Sequence, residues 1–446
     1  MNIIIAGDGE VGFHLASMLA NENHNITIVD PHEDLLERIE SQTDLLTITG
    51  DSTSPATLKR AEVAKADLLI SVLHDEKTNL ITTMLGKKLG AKRTIARIDN
   101  PEYLREDYKD LYKNLGVDVL VCPERIASKE IVKLLDQPAA TELFEFSGGK
   151  LMLFLIKLDE KALVIGKSLD QIARENQHLA FRAVAIHRNS KTIMPRGNDV
   201  FQVNDMAYVI TKPEGVDQLL HLGGKVKHDV RSVIIVGGGR IGRKTAGFIE
   251  NEKNVKLIEQ DKERCTFLSE TLKRTMIING DGRSFELLEE EGIDRTDAFL
   301  ALTNDSEINI LTCMIARKYG VKRTIALVEN IDYIDISQRI GIDTIINKKL
   351  STASYITRFT LGESVMSTKC LIGVDADALE FIAQPDSKVT RKVIRDLDFP
   401  KGAVIGGVIR GEDSYIAIGD FQIKAGDRVV VFSLPKAVKE LTKLFK

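Results

Sequence analysis

The sequence predicts an α/β fold: two doubly wound parallel-sheet domains of Rossmann type, each followed by a small β-rich α+β domain. Two stretches carry that reading. Ile3-Ile4-Ile5-Ala6-Gly7-Asp8-Gly9-Glu10-Val11-Gly12 and Val233-Ile234-Ile235-Val236-Gly237-Gly238-Gly239-Arg240-Ile241-Gly242 each pass from a buried-strand pattern through G-x-G-x-x-G into a helical pattern. The first glycine permits a tight turn, the second lets a pyrophosphate approach the backbone, and the third lets the helix pack on its strand. The pyrophosphate then rests on free helix N-terminal amides. A third observation doubles the domain. Gly50-Asp51 matches Gly280-Asp281, Asp67 matches Asp297, Asp75 matches Asp305, Asn79 matches Asn309, and Lys92-Arg93-Thr94-Ile95-Ala96 matches Lys322-Arg323-Thr324-Ile325-Ala326, all at a separation of 230 residues. That period far exceeds the ~20 to 50 residues of a solenoid repeat and reads as tandem duplication of a domain pair.

Taken in order, the first domain alternates strands and helices: strand Asn2 to Ala6, helix Val11 to Asn21, strand Ile26 to Val29, helix Pro31 to Glu40, strand Leu45 to Thr49, helix Ser54 to Ala61, strand Leu68 to Leu73. Helix Asn79 to Leu89, strand Thr94 to Ile98, helix Pro101 to Leu115, strand Val117 to Val121 and helix Pro123 to Leu135 follow. β-branched runs alternating with helical periodicity mean a parallel sheet covered on both faces, with ligands at the carboxyl ends of its strands. From Gln137 the texture changes to short strands with turns between them: Leu143 to Phe146, Lys150 to Ile156, Ala183 to His187, Thr192 to Met194 and Met206 to Ile210. Ile186 to Ile193 reads as a hairpin around Arg188-Asn189-Ser190. Leu222 to Asp229 is glycine-rich and polar and reads as the linker between halves. The second half repeats the order, and Val404 to Ile409, Ser414 to Ile418 and Arg428 to Phe432 mark its β-rich module, with Asp427 before the last strand as Asp205 is in the first.

The candidate ligand residues lie at strand ends. Asp30 closes the second strand, where a carboxylate accepts hydrogen bonds from ribose hydroxyls; the bland alternative is a cap for the helix opening at Pro31. Glu259 holds the matching place in the second copy. Arg97 ends the fifth strand, within reach of a phosphate or of a surface salt bridge, and Asp51 and Asp281 either meet the adenine end or shape a turn. Glu10 is replaced by Arg240 in the second copy. A carboxylate beside the phosphates disfavours extra terminal phosphate charge, whereas a guanidinium pairs with phosphate oxygens, unless both side chains serve domain contacts instead.

Composition bounds the function. Hydrophobic residues make up 43% and charged residues 28%, an ordinary globular balance, and the net charge of −4 gives no phosphate-backbone footprint, so nucleic acid is not an expected partner. Cys122, Cys265, Cys313 and Cys370 include no C-x-x-C pair, and the eight histidines show no ligand spacing, so neither a metal site nor a disulfide framework is expected. The longest apolar run, near Leu151 to Ile156, is too short to span a bilayer, and a cytoplasmic protein is expected. Neither β-rich module offers an acid–base pair or nucleophile elbow, which favours a sensor over an enzyme. A soluble NAD-dependent dehydrogenase is the alternative.

This order of domains, with Ile5-Ala6-Gly7-Asp8-Gly9-Glu10-Val11-Gly12, Asp30 and Thr94-Ile95-Ala96-Arg97-Ile98, resembles over nearly the whole chain the TrkA family of peripheral subunits of Trk potassium uptake systems. The resemblance implies RCK (regulator of potassium conductance) domains at 1–136 and 229–360 and TrkA C-terminal domains at 137–221 and 361–446. It further implies a non-enzymatic gating assembly at the inner face of the membrane. Such an assembly binds NAD(H), with ATP or ADP as further candidates, and controls a Trk-type potassium-translocating membrane protein. Four copies would complete an eight-domain ring. Carried over by position, Gly7, Asp8, Gly9, Glu10, Val11, Gly12, Asp30, Asp51, Leu73 and Arg97 form the first site, and Gly237, Gly239, Arg240, Ile241, Gly242, Glu259 and Asp281 the second. The second copy departs from the pattern at Leu327, in place of Arg97, and at Gln260.

Overall fold

The β-branched runs form strands whose both faces are covered, and the first is the best example: Ile3, Ile4, Ile5 and Ala6 are all buried. The computed structural model describes the 446-residue chain except residues 8, 21–23, 43–44, 138–139, 177–179, 190, 226–228, 361–364, 372–375 and 418. The first segment runs β1 (Asn2–Ala6), α1 (Glu10–Ala20), β2 (Asn25–Asp30), α2 (Glu33–Gln42), β3 (Leu46–Thr49), α3 (Pro55–Arg60), β4 (Leu68–Ser71), α4 (Glu76–Lys88), β5 (Thr94–Arg97), α5 (Glu106–Asn114), β6 (Val119–Val121) and α6 (Pro123–Asp136). Its six strands are parallel in the order β3-β2-β1-β4-β5-β6, a doubly wound sheet. A module follows with β7 (Glu142–Phe146), β8 (Leu151–Lys157), α7 (Leu169–Glu175), β9 (Phe181–Arg188), β10 (Lys191–Ile193), β11 (Met206–Thr211) and α8 (Val216–Leu222), its antiparallel sheet ordered β10-β9-β11-β8-β7.

The second half repeats both parts. β12 (Ser232–Val236), α9 (Arg240–Ile249), β13 (Asn254–Glu259), α10 (Lys262–Thr271), β14 (Met276–Asn279), α11 (Phe285–Glu290), β15 (Ala298–Ala301), α12 (Ser306–Lys318), β16 (Arg323–Leu327), α13 (Asp332–Arg339), β17 (Thr344–Ile346) and α14 (Lys348–Thr357) build a parallel sheet of the same order, β14-β13-β12-β15-β16-β17. β18 (Val365–Cys370), β19 (Asp377–Ile382), β20 (Ala403–Arg410), β21 (Asp413–Ile416), β22 (Arg428–Ser433) and α15 (Pro435–Leu444) form the last module, with its antiparallel sheet ordered β18-β19-β22-β20-β21. The expected single helix from Pro101 to Leu115 is broken at Arg105: Asn100 accepts from the Glu102 amide and starts a short 3-10 turn, and Arg105 is extended before α5 begins. Helices α7, α8 and α15 and strands β18 and β19 are too short or too mixed in periodicity to stand out in the sequence.

Two compact units result, Met1–Ala127 with Lys348–Thr360, and Ser128–Asn347 with Leu361–Lys446. In the first, α14 lies on α1: Ala353 and Ile356 join Leu15 and Leu19 in the core, flanked by Tyr355 and Phe359, with the Arg93 guanidinium 4.9 Å from the Phe359 ring centre. In the second, the end of α6 is held to the repeated sheet. Arg323 Nη2 donates to the Leu134 and Ala140 carbonyls at 3.3 and 2.7 Å, and Ser128 Oγ donates to the Ile241 carbonyl at 3.2 Å. The buried Lys369 ammonium bridges Glu130 and Glu142 at 2.8 and 3.1 Å. Burial opposes its charge, yet the two carboxylates raise its pKa well above the ordinary lysine value.

The two antiparallel sheets share one core, in which Leu153, Leu155, Tyr208 and Ile210 meet Ala378, Ile409, Val430 and Phe432. Each module carries the same ion pair, a buried aspartate held by a partly exposed arginine. Asp205 accepts from Arg188 Nε and Nη2, both at 2.7 Å, and from the Gln202 amide at 2.8 Å; Asp427 accepts from Arg410 Nε and Nη2 at 2.8 and 2.7 Å and from the Lys424 amide at 2.8 Å. The pair closes the loop before the last strand, which is why aspartate recurs there. Asp427 is buried but Arg410 is about a third exposed, so Asp427→Ala returns the guanidinium to water and leaves the Lys424 amide without its acceptor; it is expected to cost about 1 to 3 kcal/mol, read as a lower Tm in a thermal melt. A shift below about 2 °C would contradict this account.

Candidate functional site

Each parallel sheet opens a cleft where the strand order reverses beside β1 or β12. The glycine loops there have matching geometry. Gly7 and Gly237 take φ of 117° and 102°, a region that favours glycine. A Cβ on Gly12 would stand 2.0 Å from the Gly7 carbonyl oxygen, and one on Gly242 would stand 2.0 Å from that of Gly237, so backbone contact demands the third glycine. The second is different. A Cβ on Gly239 would meet nothing within 4 Å, and one on Gly9 would meet His74 Nε2 at 3.8 Å. That open space beside the first turns of α1 and α9 is the room a pyrophosphate requires, so the residues present fit a bound dinucleotide.

In the first cleft the fold brings Gly7, Gly9, Val11, Gly12, Asp30 and Leu73 to the ends of β1, β2 and β4. Val11 turns its side chain into the core, which leaves its backbone to the cleft. Asp30 is 1% exposed; its Oδ1 accepts from the His32 amide at 3.0 Å and faces His32 Nδ1 at 2.8 Å. Because α2 starts at Glu33, Asp30 stands too early to be its N-cap. Asp51 is exposed and accepts from the amide and hydroxyl of Thr53 at 2.8 and 2.7 Å, closing a turn. The Arg97 side chain is 12% exposed, with Nη2 at 3.6 Å from Asp99 and 4.0 Å from Glu124, so two acids flank it. Asp8 lies outside the described residues, as does the side chain of Glu10.

In the second cleft Glu259 is tied to the glycine loop. Its Oε2 accepts from the Gly238 amide at 2.8 Å and its Oε1 from the Asp261 amide at 2.9 Å. Arg240 is exposed at the first residue of α9, where the helix dipole disfavours a cation and favours a bound anion. Ile241 is buried. Asp281 is paired with Arg283 at 2.7 Å, and that guanidinium holds its carboxyl below the usual range. Leu327, at the position of Arg97, is buried. Among the described residues, no group of His, Cys, Asp and Glu could hold a metal ion, and no helix is long and apolar enough to cross a membrane.

One pair of residues organises both clefts without having been assigned to them from sequence. Asn79 Oδ1 accepts from Ser71 Oγ and the Leu73 amide, both at 2.8 Å, and its Nδ2 donates to the Leu73 and Arg97 carbonyls at 2.9 and 3.0 Å. Asn309 repeats the pattern with the amide, hydroxyl and carbonyl of Thr303 and the Leu327 carbonyl. Their identity across the repeat was the signal. His32 and His74 had none.

Comparison with known proteins follows the same division. The TrkA-N domain profile matches residues 3–123 and 233–348, and the TrkA-C domain profile matches residues 153–222 and 378–446. The chain is 35% identical to the Trk system potassium uptake protein TrkA of Halomonas elongata, over 100% of this chain and 99% of the relative. It is 33% identical to that of Vibrio alginolyticus, over 100% and 99%. Among solved structures, the GsuK channel superposes with a TM-score of 0.63 at 18% identity, covering 99% of this chain and 78% of that one. The GsuK channel bound to NAD gives 0.61 at 19% identity, covering 100% and 78%.

The two glycine roles are separable by substitution. Gly242→Ala is expected to force helix and strand apart and cost about 1 to 3 kcal/mol. Gly239→Ala should cost no more than about 1 kcal/mol, as a change of N-cap, while weakening nucleotide binding. Calorimetry and thermal melts on both variants check this; equal losses of stability would contradict the assignment.

Proposed function

Because the chain belongs to the TrkA family, with TrkA-N and TrkA-C domains in tandem twice over, we propose that it is a nucleotide-sensing regulatory subunit of potassium transport. In this reading it gates a Trk-type potassium-translocating membrane partner from the cytoplasmic face. The observation that carries the reading is the duplicated cleft, a glycine loop with open space over its second glycine and an acid closing the second strand. Asp30 would take the ribose of NAD(H) in the first site. The second, with Arg240 for phosphate oxygens and Leu327 where the first has Arg97, suits ADP or ATP. Nucleotide acts by population shift: it changes pore state to the extent that it binds one domain arrangement more tightly than the other.

Potassium flux into proteoliposomes carrying a Trk-type membrane protein and this chain is expected to change on adding NADH or ATP, without consumption of either. Asp30→Ala should weaken NADH binding by about 10- to 100-fold, through loss of charge-assisted hydrogen bonds, and remove the NADH response. Arg240→Glu should remove the ATP response. Steady turnover of NADH with a substrate would instead favour a dehydrogenase.

Assembly into a ring of four copies is part of the proposal. In both halves one pair of helices leaves large apolar side chains on the surface: Ile81 and Leu111 on α4 and α5, and Leu311 and Ile336 on α12 and α13. A second copy of this chain would cover such faces and close by symmetry. Light scattering is expected to give a tetramer that Leu311→Asp breaks; a monomer in the unmodified chain would remove the ring.

A further inference from the structure

The two β-rich modules differ in how they fill the same space. Aligned on Asp205 and Asp427, Phe445 of the last module matches Gly223 of the first. Phe445 is fully buried and stacks on Phe381 with ring centres 4.5 Å apart, in a core that also takes Phe399, Phe421 and Leu444. In the first module a Cβ on Gly223 would stand 3.3 Å from the Leu219 carbonyl oxygen and 3.5 Å from Ile156 Cγ2, and the glycine itself brings no side chain to this place. Gly223 lines a cavity of about 860 Å³ in the second compact unit, walled also by Ile156, Phe201, Val209 and Leu219 and reaching Ile416 of the last module. An aromatic plug in one copy and a glycine in the other at one place in a duplicated fold is a difference in use. An unfilled cavity forfeits packing contacts, whereas a pocket of this size and lining holds a small molecule.

One charge gives the cavity its chemistry. Arg182 lines it where the last module has Val404. Its Nη1 donates to the Ile405 and Ala417 carbonyls at 3.0 and 2.6 Å, and among the described residues no carboxylate pairs with it. Burial lowers its pKa with no acid opposing that effect. The exposed Asp170 and Arg196, also in the lining, offset each other in charge. A partly buried guanidinium that meets carbonyls but no acid, at an apolar wall, is completed by a carboxylate attached to an apolar body. We propose that this cavity is a second ligand site, separate from the nucleotide clefts, for an amphipathic organic carboxylate whose head pairs with Arg182 and whose body occupies the space that Phe445 fills in the other module.

The test uses the full chain and dodecanoate as the probe, with dodecanol and dodecyltrimethylammonium as neutral and cationic controls. Calorimetry is expected to show saturable binding of one dodecanoate per chain, tighter than either control. Gly223→Phe installs the plug of the last module, and the Gly223 φ of −75° admits a side chain; affinity should fall by at least about tenfold while NADH binding stays unchanged. Arg182→Gln keeps a donor for the two carbonyls and should erase the preference for dodecanoate over dodecanol. It carries the test by itself should Gly223→Phe fail to fold. Absence of saturable binding, undiminished affinity in both variants, or displacement of dodecanoate by ATP or NADH would overturn the proposal.

Discussion

A buried asparagine in each half holds the carboxyl ends of the fourth and fifth strands together, and the loop after the fourth strand hangs from that tie. Asn79 and Asn309 each make four hydrogen bonds, three to the loop after the fourth strand or to its last residues and one to the end of the fifth. Loop backbone at a cleft has no ladder to satisfy it, and an unpaired buried amide or carbonyl costs about 1 to 3 kcal/mol. One amide side chain therefore sets the loop's path, the start of the following helix and the position of residue 97 or 327. Asp75 and Asp305 finish the arrangement by accepting from the amides of Thr78 and Ile308 at the helix start.

With backbone so constrained, the two halves diverge in side chains at the carboxyl end of the fifth strand. The first cleft sets Arg97 among Asp99 and Glu124, where the second has a buried Leu327. The modules diverge in the same manner: the Arg–Asp pairs persist at Asp205 and Asp427 because they close backbone, while the position that Phe445 fills in the last core is Gly223 at a cavity in the first. Duplication here preserved what the main chain requires and released what it does not.

The Lys-Arg-Thr-Ile-Ala repeat shows the same logic across long sequence distances. Arg93 faces the Phe359 ring just beyond α14, and Arg323 caps carbonyls just beyond α6, so one motif position serves in each unit to hold the chain that follows the sixth strand. The aspartates at 67 and 297 act at the opposite edge, accepting amides of Asn2, Arg231 and Ser232 as the first strand of each sheet begins.

The sequence by itself determined the fold class, the duplication and the place of the clefts. Strand periodicity, the three glycines and the acids ending the second strands are local features whose geometry follows from a few consecutive residues. That Asp30 would end the second strand was legible because its distance from the glycine loop is a property of the strand–helix–strand unit. Tertiary structure alone decided the rest. That Asn79 ties two strands, that Arg97 meets Asp99 and Glu124, that α14 lies on α1, and that Gly223 lines a cavity while Phe445 stacks on Phe381 all depend on residues brought together from distant parts of the chain. Local patterning encodes which face of an element is apolar; it carries no information about which partner will cover that face, or whether anything in the chain will.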